Sequence, residues 1–584
     1  MNPETKACQN CKKHFTIDSR DFEFYEKISV PQPTWCPWCR MIRRMAFWNE
    51  RSFFRRTGDD GKPVLSTYPQ ESLFKIIDED KWWSDSFDTL SYGRDYDFSR
   101  PFFDQLKELA STVPFPHRAG MELIDSEYSN NSNHLKNCYM CFNSAKCEDS
   151  LYCVFSGAVK NCIDILSGSD CELCYNLETG SRCHKVFFAS NTDGCINSWL
   201  MYNCNNCSDC LGCVNLHKAQ YHIFNKPYSK EEYFKKLGGL NLGSHRALEE
   251  HKNVWHELML KSPRKYYVGI QNVNSIGDLV AHSKDAKYCY EAYGLESVAY
   301  SQALAPTVRD SYDFTNWGVN AERVYEAVDC GIHAYDIKFS FGCSPNCKNI
   351  QYSLGIFSSS DCFGCVATKK AQYCILNKQY SKEEYEALIP KIVEHMNAMP
   401  YIDALGRKYT YGEFFPPDMA PYAANETALL DFTDLDEEKS EAFGLIWRET
   451  KTAEYKTTIQ AKDLPDNIKD AGENITKEII ACAGCERAYR IIPTEFTFYK
   501  TYSIPIPRKC HNCRFKDRVA FRNLPKWYPG KCKCGGLASA NGMYQNTAEH
   551  PHGAEPCPNT FETTYAPDRP EIIYCEKCYQ QEVV

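Results

Sequence analysis

Residues 8–11 read Cys-Gln-Asn-Cys and residues 36–39 read Cys-Pro-Trp-Cys, with 24 residues between the two pairs. The arrangement returns near the other end of the chain, where Cys-Ala-Gly-Cys at 482–485 is followed after another 24 residues by Cys-His-Asn-Cys at 510–513. Two C-x-x-C pairs offer four thiolates for a tetrahedral Zn²⁺, at about 2.3 Å per Zn–S bond. The sequence therefore predicts a small zinc module near each end of the chain.

The two modules also match between and beyond their cysteines. Phe-Glu-Phe-Tyr at 22–25 corresponds to Phe-Thr-Phe-Tyr at 496–499, and each is followed by Pro-x-Pro, at 31–33 and 505–507. The alternating aromatic side chains predict a strand or hairpin that ends at the prolines. Residues 40–47, after the second pair, lack Gly and Pro and have the apolar spacing of a helix. This order of elements resembles a treble-clef zinc finger.

Composition restricts the class of protein. The chain has 584 residues, 43% hydrophobic and 14% aromatic, which is enough for several globular domains. Its 33 cysteines are odd in number, many fall in C-x-x-C pairs, and the first residues lack the apolar run of a signal peptide. No stretch approaches the ~18 apolar residues of a membrane span. We therefore expect a reducing, cytoplasmic setting and no membrane contact.

Between the zinc modules the sequence is repetitive. From residue 131 to about residue 233, short motifs with Cys, Asn and Asp recur every 21 to 24 residues, such as Lys-Asn-Cys at 136–138 and 160–162. This pattern predicts a parallel β-solenoid with about 22 residues per coil. Tyr-Ser-Lys-Glu-Glu-Tyr at 228–233 returns at 380–385, so a second solenoid is expected. A cap helix should end each one, starting after Ser229 or Ser381.

These patterns predict a mainly β, multidomain fold, in which two tandem right-handed parallel β-solenoid (β-helix) units are flanked by treble-clef and zinc-ribbon modules. The predicted limits are 1–57 for the first treble clef, 58–130 for an aromatic and acidic connection, 131–245 and 246–400 for the solenoids with their cap helices, 401–478 for an acidic linker, 479–528 for the second treble clef and 529–584 for a C-terminal zinc ribbon.

The predicted C-terminal ribbon holds five cysteines and two histidines, His550 and His552. This is more than one four-coordinate site needs, so a third zinc is predicted with its ligands left open, Cys575 and Cys578 being the firmest pair. The predicted metal ligands of the whole chain are Cys8, Cys11, Cys36, Cys39, Cys482, Cys485, Cys510, Cys513, Cys532, Cys534, Cys557, Cys575 and Cys578.

Basic residues are concentrated in the zinc modules. Residues 1–57 carry 11 Lys and Arg against 6 Asp and Glu, and residues 481–530 carry 10 against 3, although the chain has a net charge of −9. One hypothesis is that the zinc helices bind the phosphates of RNA, the ribosome or another nucleic acid. The alternative is that these cations neutralise the zinc thiolates or dock a protein. The candidate contacts are Arg40, Arg43, Arg44, Arg514, Lys516 and Arg518.

Cysteines within the repeats have a different interpretation. A free cysteine behaves as a small buried apolar residue, and stacked coils favour ladders of one small residue type, so Cys138, Cys153, Cys162 and others are predicted to line the interior. An additional metal site is the alternative at 204–213, where four cysteines stand three residues apart. Disulfide exchange is a third.

The chain also resembles known proteins, and this resemblance supports the predicted domain architecture but implies no activity. The chain resembles a family of bacterial proteins that combine a C-x-x-C and C-P-x-C-R zinc module with cysteine-rich repeats. Val-Pro-Gln-Pro at 30–33, Cys-Pro-Trp-Cys-Arg at 36–40, Asn-Glu-Arg at 49–51, Cys-Leu-Gly-Cys at 210–213 and residues 565–582 carry the resemblance. No activity is established for such proteins, so none is implied here.

Three functions follow as hypotheses. The first is a zinc protein that contacts nucleic acid through its basic helices, and the second is a protein-interaction scaffold with purely structural zinc. The third is a hydrolase or lyase on a solenoid face, which rests on fold analogy alone because no nucleophile or acid–base pair stands out. The sequence favours binding over catalysis and leaves the oligomeric state open.

Overall fold

The computed structural model describes residues 2–449 and 455–583. These residues form two compact units, each discontinuous in sequence. The first unit contains residues 2–118, 267–449 and 524–527, and the second contains 119–266, 455–523 and 528–583. Strands outnumber helices and form several sheets, so the fold is mainly β and multidomain, as the sequence predicts. The domain limits predicted from the sequence stay a prediction.

The first unit is built around a stack of parallel strands. Its helices are Ser19–Lys27, Pro37–Met45, Glu79–Trp83, Phe102–Ala110, Lys382–Ala398, Leu429–Phe432 and Glu437–Phe443. The strands of its stack are Gly269–Ile270, Ile276–Ala281, Lys287–Tyr293, Leu295–Ala299, Gln302–Ala305, Val308–Gly318, Ala321–Gly331, Tyr335–Cys343, Lys348–Gln351, Leu354–Ile356, Ser360–Phe363, Gln372–Ile375 and Lys378–Gln379. Smaller sheets contain Glu4–Ala7, His14–Ile17, Phe54–Thr57, Pro63–Ser66, Ile76–Ile77, Phe115–Pro116, Tyr401–Ile402 and Lys408–Tyr409.

The second unit repeats this plan. Its helices are Lys230–Gly239, His245–Leu260, Pro493–Thr501, His511–Val519 and Glu576–Val583. Its stack contains Gly120–Ile124, Ser132–Lys136, Val154–Gly157, Ile163–Ser169, Tyr175–Ser181, His184–Asp193, Ile196–Tyr202, Ser208–Leu211, Gln220–Ile223 and Lys226–Pro227. Smaller sheets contain Pro263–Lys265, Ile459–Gln460, Ile480–Ala481, Ala488–Tyr489, Tyr528–Lys531, Thr560–Thr563 and Ile572–Tyr574.

Successive strands of the second unit's stack pair in parallel at a constant offset as far as Gln220–Ile223, on which Lys226–Pro227 folds back antiparallel. Ile163 pairs with Tyr175, Tyr175 with Phe187, and Phe187 with Trp199. The offset is the separation in sequence between two paired residues. In the first unit's stack, Val308 pairs with Ala321, a separation one residue longer than in the second unit, and Ser360 pairs with Gln372 at the shorter separation. The predicted repeat length is therefore wrong, because the recurrence of Lys-Asn-Cys from 136–138 to 160–162 spans two of these shorter repeats.

Every third residue of the second unit's stack faces its interior. The buried cluster contains Cys138, Cys141, Cys147, Cys153 and Cys162, all separated by multiples of three, and the residue before each inward position has a positive φ. Asn and Asp hold many of these positive-φ positions because they tolerate the left-handed conformation better than most residues. The interior also contains apolar residues other than cysteine, such as Leu135, Ile165 and Met201, so a cysteine motif alone obscures the shorter repeat.

Both stacks end in the same way. Asn225 Oδ1 accepts from the N–H of Val214 (2.8 Å) and its Nδ2 donates to the carbonyl of Val214 (2.9 Å). Asn377 makes the same two bonds to Val366, at 2.7 and 2.8 Å. A capped helix then follows, with Ser229 or Ser381 in a capping box, which confirms the predicted cap helices.

The zinc modules differ from expectation between their cysteine pairs. Residues 22–25 lie in helix Ser19–Lys27, and residues 496–499 lie in helix Pro493–Thr501, so the predicted strand or hairpin is wrong there. Asp18 caps the first of these helices with Asp21 in a capping box, and the buried positions follow a helical spacing. The helix predicted after the second pair is confirmed as Pro37–Met45. No helix within 2–449 or 455–583 is long and apolar enough to cross a membrane.

Candidate metal centres

The first cysteine tetrad contains two residues from the turn of a hairpin and two from the start of a helix. Cys8 and Cys11 lie between strands Glu4–Ala7 and His14–Ile17, and Cys36 is the N-cap of helix Pro37–Met45. All four Sγ atoms, including that of Cys39, lie within 4.8 Å of one another. The Sγ atoms of Cys11 and Cys36 are 3.8 Å apart, and two thiolates on one tetrahedral zinc would lie roughly 3.8 Å apart. This group can hold one metal ion.

The second tetrad repeats this geometry. Cys482, Cys485, Cys510 and Cys513 lie within the same 4.8 Å limit, and Cys510 is the N-cap of helix His511–Val519. The Sγ atoms of Cys485 and Cys510 are 3.7 Å apart. The N–H of Cys510 donates to Cys482 Sγ at 3.2 Å, as the N–H of Cys36 does to Cys8 Sγ at 3.2 Å. The duplicated sequence therefore builds two matching cysteine tetrads, each able to hold a metal ion.

Hydrogen bonds lower the pKa of one cysteine in each tetrad. Thiols of Cys36 and Cys39 donate to Cys8 and hold its pKa well below the ordinary value, although burial opposes this. Burial also raises the pKa of Cys482, but the N–H groups of Cys510 and Gly484 more than offset it, leaving a pKa of about 7. Metal ions bind the thiolate rather than the thiol, so Cys8 and Cys482 are the most readily deprotonated ligands, whereas burial raises the pKa of Cys510 and Cys513.

The C-terminal residues form two overlapping ligand groups. Cys532, Cys557, Cys575 and Cys578 make one, and Cys534, His550, His552 and Cys578 make the other, with the ligand atoms of each group within 4.8 Å of one another. The sequence predicts these cysteines as ligands but leaves their grouping open. Members of one group, such as Cys532 and Cys575, lie far apart along the chain, so only the tertiary structure can sort them. The sites could bind metal ions and their donors fit zinc.

Cysteines inside the stacks take no part in these centres. None of the ligand groups within the described ranges includes the four cysteines at 204–213. All four are buried in the interior of the stack, so they do not lie together on a surface as the additional-metal alternative supposes. Their thiols donate to backbone carbonyls instead, as in Cys204 Sγ to the Cys213 carbonyl at 3.5 Å. The ladder interpretation therefore fits this geometry.

The arginines of helix Pro37–Met45, which belongs to the first predicted zinc module, are fully buried. Helix Pro37–Met45 packs on strands Val308–Gly318 and Ala321–Gly331. The guanidinium groups of Arg40 and Arg44 pair with Asp313 at 2.8 and 2.9 Å, and all three side chains are at most 1% exposed. Arg43 pairs with Glu326 at 3.0 Å and with Glu413 at 2.8 Å. These ion pairs hold the zinc module against the β-stack of its own unit.

Helix His511–Val519 of the second predicted zinc module is also held by buried ion pairs. Helix His511–Val519 packs on strands Ile163–Ser169 and Tyr175–Ser181. Arg514 pairs with Asp164 and, at 3.1 Å, with Glu495, while Arg518 lies 3.5 Å from Asp164. Burial raises the pKa of Glu495, and the neighbouring Arg514 opposes that shift. The charged groups are therefore held in the interior by their partners.

These contacts correct the hypothesis that the zinc helices present cations to nucleic acid. Arg40, Arg43, Arg44, Arg514 and Arg518 are buried and paired with carboxylates, so their guanidinium groups do not face solvent. Among the six candidates only Lys516 is exposed. The reason is that the basic face of each helix is the face that packs on a β-stack. Asp164, Asp313 and Glu326, which complete these sites, carry no local sequence signal that would identify them.

Neither a comparison with protein-family models nor one with curated proteins finds a match for this chain. The resemblance to a bacterial family is therefore not shown by these comparisons. The structure supports one part of the resemblance, since it contains several cysteine-rich groups able to bind metal.

Proposed function

We propose that this protein is a non-enzymatic binding scaffold in which structural zinc ions fix two treble-clef modules onto two β-solenoids. One observation carries the proposal: the five zinc-helix arginines that could have served recognition are buried in ion pairs within their own units. A helix whose basic face packs inside its own unit has few exposed cations with which to bind the phosphates of a nucleic acid. The protein-scaffold hypothesis is thus preferred over nucleic-acid binding.

The proposal takes the metal to be zinc. Thiolate-rich tetrads suit Zn²⁺, and four protein ligands close its coordination sphere, which is typical of structural rather than catalytic sites. Each zinc module is also too small to build a sufficient core alone. The order of knuckle and helix start supports the treble-clef assignment for both modules.

Parallel pairing at a nearly constant offset supports the solenoid assignment for both stacks. Right-handed winding is proposed from the general preference of parallel β connections. One outward ladder runs from Lys136 through Glu148 to Lys160, with ion-pair distances of 3.0 and 3.1 Å. Such a rigid polar surface suits a protein partner, with affinity coming from shape and side-chain hydrogen bonds.

A reducing, cytoplasmic setting is part of the proposal. The cysteines are present as free thiols, and those inside the stacks donate to carbonyls, as Cys147 does to Ser156 at 3.5 Å. Such bonds need the reduced form. Alkylation of the denatured protein without reductant should label every cysteine, and a substantial disulfide content would contradict this setting.

The scaffold proposal can be tested on full-length protein purified without added zinc. We expect bound zinc, an absorbance ratio at 260 and 280 nm that nuclease does not change, and no salt-dependent binding to RNA or DNA. Lys516→Glu and Arg55→Glu remove exposed cations of the zinc modules and should change nothing. Nucleic acid that co-purifies and is lost in these variants would overturn the scaffold and restore the nucleic-acid hypothesis.

A further inference from the structure

The C-terminal module has seven ligand side chains in two groups that share one member. Cys532, Cys557 and Cys575 belong to one group, Cys534 with the two histidines to the other, and Cys578 to both. Two separate four-coordinate ions would need eight ligands. We propose that this module binds a binuclear zinc cluster in which Cys578 Sγ bridges the two ions, an inference that rests on the zinc binding proposed above.

His550 is prepared as a ligand through its Nδ1 atom. Its ring is buried, with Nε2 2.9 Å from Glu582 Oε1, and its Nδ1 is a buried atom without a hydrogen-bond partner. The carboxylate fixes the tautomer, because Nε2–H donates to it and leaves the lone pair on Nδ1. A buried lone pair without a donor is costly unless a cation occupies the position that it faces. A zinc ion bound by Nδ1 removes that cost.

His552 is prepared through the opposite nitrogen. Its Nδ1 lies 2.6 Å from the Glu555 carbonyl, which accepts the Nδ1–H and leaves the lone pair on Nε2. That Nε2 lies 3.3 Å from Cys578 Sγ. A nitrogen and a sulfur on one tetrahedral zinc would be roughly 3.5 Å apart, given bonds of about 2.0 and 2.3 Å. The shared cysteine and this histidine therefore fit one ion.

Hydrogen bonds also orient the non-bridging thiolates. The N–H of Cys575 donates to Cys532 Sγ at 3.2 Å. Asn559 Nδ2 donates to Cys575 Sγ and Asn546 Nδ2 donates to Cys534 Sγ, both at 3.3 Å. Donors around the ligands, like the carboxylate behind His550, are typical of a built metal site. Two Zn²⁺ ions also balance five thiolates to within one charge, whereas a lone ion bound by four would leave Cys534 and both histidines without a role.

Metal analysis of the native full-length protein tests the cluster. We expect four zinc ions per chain, two from the treble clefs and two from the cluster, and one fewer in His552→Ala. His256→Ala, at an exposed position of helix His245–Leu260, is the matched control and should retain all four. Three ions in the native protein, with no loss in His552→Ala, would overturn the cluster while leaving the structural zinc of the scaffold proposal intact.

Cadmium NMR tests the bridge without a variant that could unfold the module. In protein reconstituted with ¹¹³Cd²⁺, the all-thiolate ion and the ion bound by two histidines should give distinct resonances. Scalar coupling between them, transmitted through Cys578 Sγ, is the expected result. Two uncoupled resonances, or one resonance from this module, would overturn the shared thiolate.

Discussion

Asp313 and Asp164 occupy equivalent positions in the two units, because each pairs with two arginines of the helix that packs on its stack. The pairs are Arg40 and Arg44 with Asp313, and Arg514 and Arg518 with Asp164. One repeat earlier in each stack, a tyrosine hydroxyl donates to the first helix of the zinc module: Tyr300 to Asp21 at 2.9 Å, and Tyr152 to Glu495 at 3.3 Å. The docking interface is therefore duplicated together with the modules.

This duplication is interleaved along the chain. The N-terminal zinc module packs on the stack formed by residues 269–379, and the C-terminal zinc module packs on the stack formed by residues 120–227. Each unit thus joins segments from distant parts of the sequence. Buried ion pairs favour the correct pairing of module and stack. A module that packed on a surface without matching carboxylates would bury unpaired guanidinium groups, at a large cost in free energy.

Asp164→Asn should destabilise the second unit. The change keeps the shape of the side chain but leaves two buried guanidinium groups without their shared carboxylate, so we expect a loss of about 3–5 kcal/mol in the free energy of unfolding. Urea denaturation followed by circular dichroism measures it. Asp170→Asn, at an exposed position of the same stack, is the control and should lie within about 0.5 kcal/mol of the native protein.

Addition of Arg518→Met to Asp164→Asn should recover part of the loss, because the second change removes one unpaired buried charge. A loss below about 1 kcal/mol for Asp164→Asn alone would mean that the ion pairs do not hold the module in place.

Asp21→Asn should change how stability depends on pH. Burial raises the pKa of Asp21 to about 6, although Tyr300 and Arg40 act against the shift. A raised folded-state pKa means that the carboxyl stabilises the fold most when protonated, below about pH 4, and that this contribution is lost as the pH rises through 6. The amide cannot ionise, so the variant should gain about 1–2 kcal/mol relative to the native protein as the pH rises from 5 to 8.

Melting temperatures of both proteins at fixed zinc concentration across that range give the comparison. The difference between the two proteins is the relevant quantity, since loss of metal at low pH affects both. Parallel curves would show that Asp21 is ionised at all these pH values.

Cys162→Ala should lower stability without changing zinc content. Its thiol is fully buried and donates to the carbonyls of Lys160 and Cys171 at 3.2 and 3.4 Å. Loss of the sulfur from the packed interior should cost about 1–2 kcal/mol. Cys162→Ser should cost less, because Ser150 fills the same position one repeat earlier and donates to a carbonyl. Cys510→Ala is the contrasting variant and should lose one zinc.

Elemental analysis with thermal unfolding distinguishes these cases. A zinc deficit in Cys162→Ala would show that the interior cysteines bind metal after all, which the ladder interpretation excludes.

Asn377→Asp should weaken the end of the first unit's stack. The amide Nδ2 donates to the carbonyls of Val366 and Thr89 at 2.8 and 3.1 Å, and a carboxylate would face both oxygens without a proton to donate. We expect a loss of about 2–3 kcal/mol. Asn346→Asp is matched to it, since Asn346 also has a positive φ but is exposed.

Hydrogen exchange of the strands next to the cap reports the effect locally. Faster exchange confined to the last repeats is expected in Asn377→Asp and not in Asn346→Asp. Unchanged exchange in both would mean that the cap helix alone protects the stack end.

Local patterns predicted several elements correctly. The paired cysteines identified two metal tetrads, and the Ser-Lys-Glu-Glu sequences identified two helix starts, because spacing and capping depend on residues close in sequence. The helix Ser19–Lys27 was missed since Phe22 and Phe24 suggest alternation, whereas Asp18 and Asp21 form a capping box that starts a helix. The shorter repeat of the stacks was missed because cysteine shares its inward position with other residues.

Local sequence patterns indicated a duplicated four-cysteine module and a repeating parallel β structure, because cysteine spacing and short recurring motifs depend on residues that are close together along the chain. Long-range contacts were needed to show which module packs on which stack, how seven C-terminal ligands divide into two groups, and that the arginines of helices Pro37–Met45 and His511–Val519 face inward. Those outcomes depend on partners hundreds of residues away, such as Asp313 for Arg44. A buried charge is stable only beside its counter-ion, and no local pattern records where that counter-ion lies.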